Sequence, residues 1–235
     1  VAVFETETYN YTITRDNISQ DYFEHSIRNR YKTDCKVIQF SHYLRSVKKK
    51  YSNKKNLGRK ERVVYVEKKF SDRVRCFNNM IYPLTWYYEF QRKLINFFAE
   101  ETDFNFLYKH AQGQIWAEDS ILRYIKDKGC ENITTNHGHF LKAVKFADRV
   151  IVDYPSGALF ESAVSGKPVL CLCADYFEIL KQAKEVFGKS IQQFSSIDEA
   201  VLIVRKFLCA DPEEYRVNIP IPKNDFLDIF QDMKN

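Results

Sequence analysis

Between residues 60 and 210, short runs of β-branched and aromatic residues alternate with stretches whose apolar positions recur every three or four places. The first pattern predicts strands and the second predicts helices buried along one face. Strands are expected over 62–67, 104–108, 132–135, 150–152, 168–173 and 190–194. Helices are expected over 83–100, 118–128, 140–147, 158–165, 176–187 and 198–208. In the first of these helices Tyr87, Phe90, Leu94, Phe97 and Phe98 fall on one face, and Pro83 stands where a helix tolerates proline. Gly129 stands where a left-handed C-terminal cap belongs. Strands that are apolar throughout and separated by helices predict an α/β fold, a Rossmann-like parallel sheet with helices on both faces.

The first 58 residues have a different texture. A polar, aromatic opening (1–14) precedes a helical stretch (18–31), a strand (36–40) and a helix (41–51). A lone strand and helix cannot cover their own apolar faces. The expected organisation is therefore three parts: 1–58 as the trailing part of an amino-terminal domain with a basic connection, 59–210 as the Rossmann-like domain, and 211–235 as a tail with a short helix. The chain opens on Val rather than Met, which predicts that it starts inside a longer protein.

Composition changes this picture in two places. The net charge of +5 conceals 13 Lys or Arg against three acids between Arg45 and Arg75, set on an acidic remainder. Such a run is a solvated connection, or a contact for an anionic membrane surface or an anionic substrate. It carries no helix-turn-helix, RRM or zinc-finger pattern, so nucleic acid is not expected. Six cysteines are scattered without CxxC spacing, which argues against a zinc site or a disulfide framework and for a cytoplasmic setting. Cys171 and Cys173 alternate along an apolar run and are expected to be core thiols.

The segment Ala147-Asp148 through Val169-Leu170 carries the chemistry. It predicts strand, tight turn, helix, turn, strand, with the first turn at the carboxyl end of a parallel strand, where open α/β sheets take ligands. Ser156 and Gly157 stand where the helix begins, so backbone N–H groups and the helix dipole face the crevice. Glu161 stands one turn later, where a carboxylate can accept both hydroxyls of a ribose. Each residue also has a plain structural role: Ser156 as a helix N-cap, Glu161 as a solvent-facing acid, Asp153 as a backbone cap.

This segment resembles the nucleotide-sugar-binding half of GT-B glycosyltransferases. It comes nearest to the CDP-glycerol glycerophosphotransferase and capsular-polysaccharide (Kdo-transferase-like) group. The matching residues are Ala147-Asp148, Asp153-Tyr154-Pro155-Ser156, Phe160-Glu161 and Gly166-Lys167-Pro168-Val169-Leu170. Upstream, Lys109-His110 is similar to the group's Lys-x-His element, although its usual Lys-Pro-His-Pro becomes Lys109-His110-Ala111 here. The resemblance covers roughly residues 60–208.

It implies a transferase that uses a nucleotide-activated sugar or alditol, of CMP/CDP or UDP type, to build a cell-surface polysaccharide or related glycan on a glycan or lipid-linked acceptor. Ser156 and Gly157 would hold phosphate, Glu161 the ribose, and Asp153 and Tyr154 would shape the turn. Lys109 or His110 would neutralise the leaving phosphate, and His137, in the loop after a strand end, would act as base or phosphate partner. His42 is a further candidate to approach the cleft. No metal or other cofactor is expected, since His137-x-His139 lacks a third ligand nearby. The protein is expected in the cytoplasm, at most peripheral to a membrane. Two alternatives stand beside this reading: a UDP-N-acetylhexosamine 2-epimerase-like enzyme, and a non-catalytic Rossmann-like domain that docks at a membrane or in an assembly.

Overall fold

The computed structural model describes residues 11–14, 36–39, 42–51, 59–67, 83–110, 120–136, 138–179 and 181–219. Its centre is a six-stranded sheet in which every pairing is parallel. In chain order its strands are β3 (Glu61–Val66), β4 (Phe104–Lys109), β5 (Ile133–Asn136), β6 (Arg149–Val152), β7 (Val169–Ala174) and β8 (Ile191–Phe194). In space they run β5-β4-β3-β6-β7-β8. The chain thus works outward from β3 in one direction, then returns to its other side with β6. Two more strands, β1 (Tyr11–Thr14) and β2 (Lys36–Gln39), pair in parallel as a separate sheet.

The helices are α1 (His42–Tyr51), α2 (Leu84–Glu100), α3 (Ser120–Lys128), α4 (Phe140–Phe146), α5 (Gly157–Val164), α6 (Lys181–Phe187) and α7 (Ile197–Cys209). Strand side chains alternate between two cores, as the period of two requires. Val63, Tyr65, Ile151, Leu170 and Leu172 face the layer of α2, α3 and α7. Val64, Val150, Val152, Val169, Cys171 and Cys173 face the layer of α4, α5 and α6. Helix α1 lies against α4 and α5, and its Val47 belongs to that second core. The first core is rich in aromatic rings. Trp86, Phe90 and Phe194 form a stack with centroid spacings of 5.5 and 5.4 Å and ring planes within 8° of parallel.

Local chemistry accounts for the helix ends. Pro83 precedes α2 with φ −56°, and its carbonyl accepts the Tyr87 N–H at 2.9 Å. Ser196 caps α7 by accepting the Glu199 N–H at 3.2 Å, while the Glu199 carboxylate reaches back to the Ser195 N–H at 2.8 Å. Gly129 closes α3 at φ +63°, its N–H reaching the carbonyls of Ile125 and Lys126 at 3.2 Å.

Two expectations need correction. The predicted helix over 176–187 begins only at Lys181. The Phe177 N–H instead turns back to the Ala174 carbonyl at 3.0 Å, and the Phe177 ring, beside Tyr176, packs on the neighbouring loop at Tyr154. The polar opening contains a strand, β1, that its sequence pattern does not announce; β1 is the partner of β2, so the strand at 36–39 is not alone. Of the predicted elements, the helices over 18–31 and at the end of the tail lie outside the described residues.

Candidate functional site

The carboxyl ends of β3, β4 and β6 meet at the point where the strand order reverses, between β3 and β6. In a parallel sheet the loops on either side of that point diverge to opposite faces and leave a crevice between them. The residues that follow the three strands are Glu67, His110 and Asp153, and a main-chain bond holds each to the neighbouring strand. The Glu67 N–H reaches the Lys109 carbonyl at 3.4 Å, the His110 N–H the Asn136 carbonyl at 3.1 Å, and the Asp153 N–H the Val66 carbonyl at 3.4 Å.

Above the sheet, the turn after β6 leads straight into α5. Ser156 is the N-cap, its Oγ accepting the Ala158 N–H at 3.3 Å, and both Ser156 and Gly157 are exposed. Glu161 is half-buried one turn into α5. Tyr154 is half-buried and meets Phe177 edge-on, with ring centroids 5.9 Å apart. Burial holds the Tyr154 hydroxyl above its ordinary range, so it remains a donor at neutral pH.

Below the turn lies a buried polar cluster. Asp153, at 1% exposure, accepts the Tyr65 hydroxyl at 2.6 Å on the same oxygen that takes the Tyr87 hydroxyl. The Asp153 carboxylate is thus an anchor under the turn. Glu67 contacts the His110 imidazole through one oxygen. Its other oxygen accepts from the Tyr108 hydroxyl and from Gln91 Nε2, the latter at 3.2 Å. Lys109 is almost fully buried, and its ammonium donates to the His110 carbonyl. Burial lowers the Lys109 pKa, with the Glu67 carboxylate opposing that change.

The expected site residues therefore separate into two groups. Tyr154, Ser156, Gly157 and Glu161 lie along the turn and the first turn of α5, and Lys109, His110 and Asp153 lie beneath, at the strand ends. His137 falls outside the described residues. His139, its neighbour in the motif, caps α4 by accepting the Leu141 N–H on Nδ1 at 3.3 Å. The sequence pattern marks Glu67, Gln91 and the tyrosines at 65, 87 and 108 as strand or helix residues and not as members of a site. Glu67 closes the apolar run VVYV, but only the register, with Tyr65 opposite Tyr108, shows what its carboxylate meets.

The buried tyrosines give a measurable pH dependence. Tyr65 and Tyr87 are held well above their ordinary value of 10.0, first by burial and then by the Asp153 charge. An unfolded chain releases these protons above about pH 10 while the folded one keeps them. Their contribution to stability is thus intact below pH 10 and declines as the pH rises beyond it. In an alkaline titration, the last rise in tyrosinate absorbance should coincide with loss of circular dichroism. Complete ionisation before any loss of structure would contradict the burial of both hydroxyls.

Among the described residues, no cluster of three His, Cys, Asp or Glu could hold a metal ion. No described helix is long and apolar enough to cross a membrane. Cys171 and Cys173 are free thiols buried in β7. An open groove between α2 and α7, lined by Lys93, Phe97, Leu202 and Arg205 among others, lies on the outer face of a helix layer, away from the strand ends.

No family model matches the chain, and no curated protein matches it significantly. Solved structures do. The GtfA/B complex superposes with a TM-score of 0.53 at 11% identity, over 91% of this chain and 42% of that one. The pneumococcal O-GlcNAc transferase GtfA in complex with UDP and GlcNAc gives 0.52 at 13% identity, over 91% and 41%. The α,α-trehalose 6-phosphate synthase from Burkholderia multivorans gives 0.51 at 10% identity, over 91% and 55%. These neighbours are GT-B glycosyltransferases, and at such identities the likeness is one of fold. The chain spans about half or less of the length of each.

Proposed function

We propose that this chain is the donor-binding half of a GT-B-type transferase that takes a nucleotide-activated sugar or alditol and builds a cell-surface polysaccharide or related glycan. The observation that carries the reading is the turn from β6 into α5. It places an exposed Ser156 and Gly157 at a helix N-terminus, beside the reversal of strand order, with Glu161 one turn behind. That arrangement suits a diphosphate at the helix start and a ribose diol at the carboxylate.

In this reading the reaction breaks the bond between the donor's transferred group and its phosphate, and the departing phosphate gains negative charge. The amides of Ser156 and Gly157 and the hydroxyl of Ser156 face that charge in a fixed arrangement, and His110 supplies a cation from the next strand ends. Donors fixed in advance where charge develops are the main contribution such a site makes to rate. The acceptor and the group that removes its proton belong to the other half of the enzyme in this scheme.

Thermal unfolding in the presence of CMP, CDP, UDP or GDP tests the proposal. At 100 times its dissociation constant, a nucleotide adds about 2.7 kcal/mol of stability. At least one should raise the midpoint by several degrees, and Glu161→Ala should abolish the rise without changing the ligand-free midpoint by a comparable amount. Absence of stabilisation by all four nucleotides would overturn the reading.

A further inference from the structure

The ends of β3 and β4 bring a carboxylate and an imidazole together out of water. Val66 stands opposite Lys109, so the next residues along the two strands are Glu67 and His110. Each retains only 5% exposure, and Oε1 of Glu67 contacts Nδ1 of His110. Both partners are held from behind. Oε2 of Glu67 accepts from Tyr108 and Gln91, Gln91 Nε2 also reaches the Tyr108 oxygen at 3.0 Å, and the His110 N–H is fixed on Asn136.

We infer that Glu67 is a positioning residue for His110, fixing the imidazole through Nδ1 and keeping it charged for the phosphate of a nucleotide donor. The inference rests on the donor-site reading. Phosphate oxygens at this point accept hydrogen bonds. With Nδ1 turned to Glu67, contact with phosphate falls to Nε2, and both ring nitrogens carry hydrogen only in the imidazolium. Burial by itself favours the neutral ring, and a carboxylate in contact reverses that preference.

Among the described residues, the other charged and titratable groups of the cluster are Tyr65 on β3, Lys109 and Tyr108 on β4, Asp153 at the end of β6, and Tyr87 on α2; β5 contributes the Asn136 carbonyl. Asp153 reinforces a charged ring and Lys109 opposes it, while Glu67 is the carboxylate in contact.

Glu67→Gln keeps an oxygen for Nδ1 and removes the charge. UDP and CDP binding measured by calorimetry between about pH 5.5 and 8.5 then separates charge from shape. The wild type should lose affinity as His110 gives up its proton. In Glu67→Gln the midpoint of that loss should move down by about one to three pH units. The variant is then about tenfold or more weaker at pH 7 and recovers toward wild-type affinity at the acid end. Ionisation of the nucleotide's own phosphate is common to both titrations and cancels in their difference. His110→Asn should remove the difference altogether.

A variant that binds more weakly by the same factor at every pH, or one whose midpoint does not move, overturns the inference while the donor reading stands. Failure of both nucleotides to bind the wild type at any pH overturns the donor reading, and this inference with it. Imidazole resonances of the ligand-free wild type supply a check that needs no variant. His110 should be protonated on both nitrogens at pH 7, and a neutral ring there overturns the inference.

Discussion

Replacing Asp153 by Ala should lower the unfolding free energy by about 3 kcal/mol, because two buried phenol hydroxyls lose their acceptor and each such group costs about 1–3 kcal/mol. For a chain of this size, 3 kcal/mol corresponds to a fall of about 6–12 °C in the unfolding midpoint. Asp153→Asn, which keeps an acceptor oxygen in the same place, should recover part of that loss. Tyr87→Phe in the Asp153→Ala background should cost less than Tyr87→Phe alone, since the hydroxyl it removes is already without that acceptor. Equal costs in the two backgrounds would show that the Asp153–Tyr87 bond contributes nothing. Denaturant titration of the wild type and the four variants supplies all the terms.

Arg149→Ala should be at least as damaging, about 3–5 kcal/mol by the same titration. The side chain of Arg149 is buried at the opposite end of β6 from Asp153. Its Nε pairs with Glu61 at 2.7 Å, and its Nη1 reaches the carbonyls of Phe207 and Ala210 at 2.6 and 3.1 Å. Those carbonyls belong to the carboxyl end of α7, which has no helical N–H to offer them. The guanidinium also lies over the Phe207 ring, 5.6 Å from its centroid. Arg149→Met keeps most of the apolar stem and should lose less than Arg149→Ala. A variant as stable as wild type would mean that water serves Glu61 and the α7 carbonyls equally well.

The central sheet was legible in the sequence because its signal is periodic. Val150, Ile151 and Val152 read as a strand from three consecutive apolar residues, and all three are buried. The face of α2 that carries Phe90, Leu94 and Phe98 was equally plain from its spacing, and those residues form the first core. Tyr176 and Phe177 misled the reading because two adjacent aromatic residues suit a helix face and a loop contact alike. The polar cluster was less visible for a different reason. Glu67, Gln91 and Tyr108 come from three separate elements, and only the register of β3 against β4 and the packing of α2 bring them together. A single strand with an acid at its end announces nothing about what that acid will meet.

The passage of the chain beyond α7 has its own consequence. After the cap at Asp211, Tyr215 packs edge-on against Phe207 in the first core, with ring centroids 4.8 Å apart. Two and four residues later, Val217 and Ile219 are buried in the second core, and between them and Tyr215 the Arg216 guanidinium binds the Gly166 carbonyl. One short peptide is thus stitched into both sides of the sheet. Neither helix layer can peel away without pulling residues out of the other, so the two sides should melt as one cooperative unit. A chain cut at Asp211 keeps the shared sheet but loses this second tie, so its single transition should fall to a lower temperature.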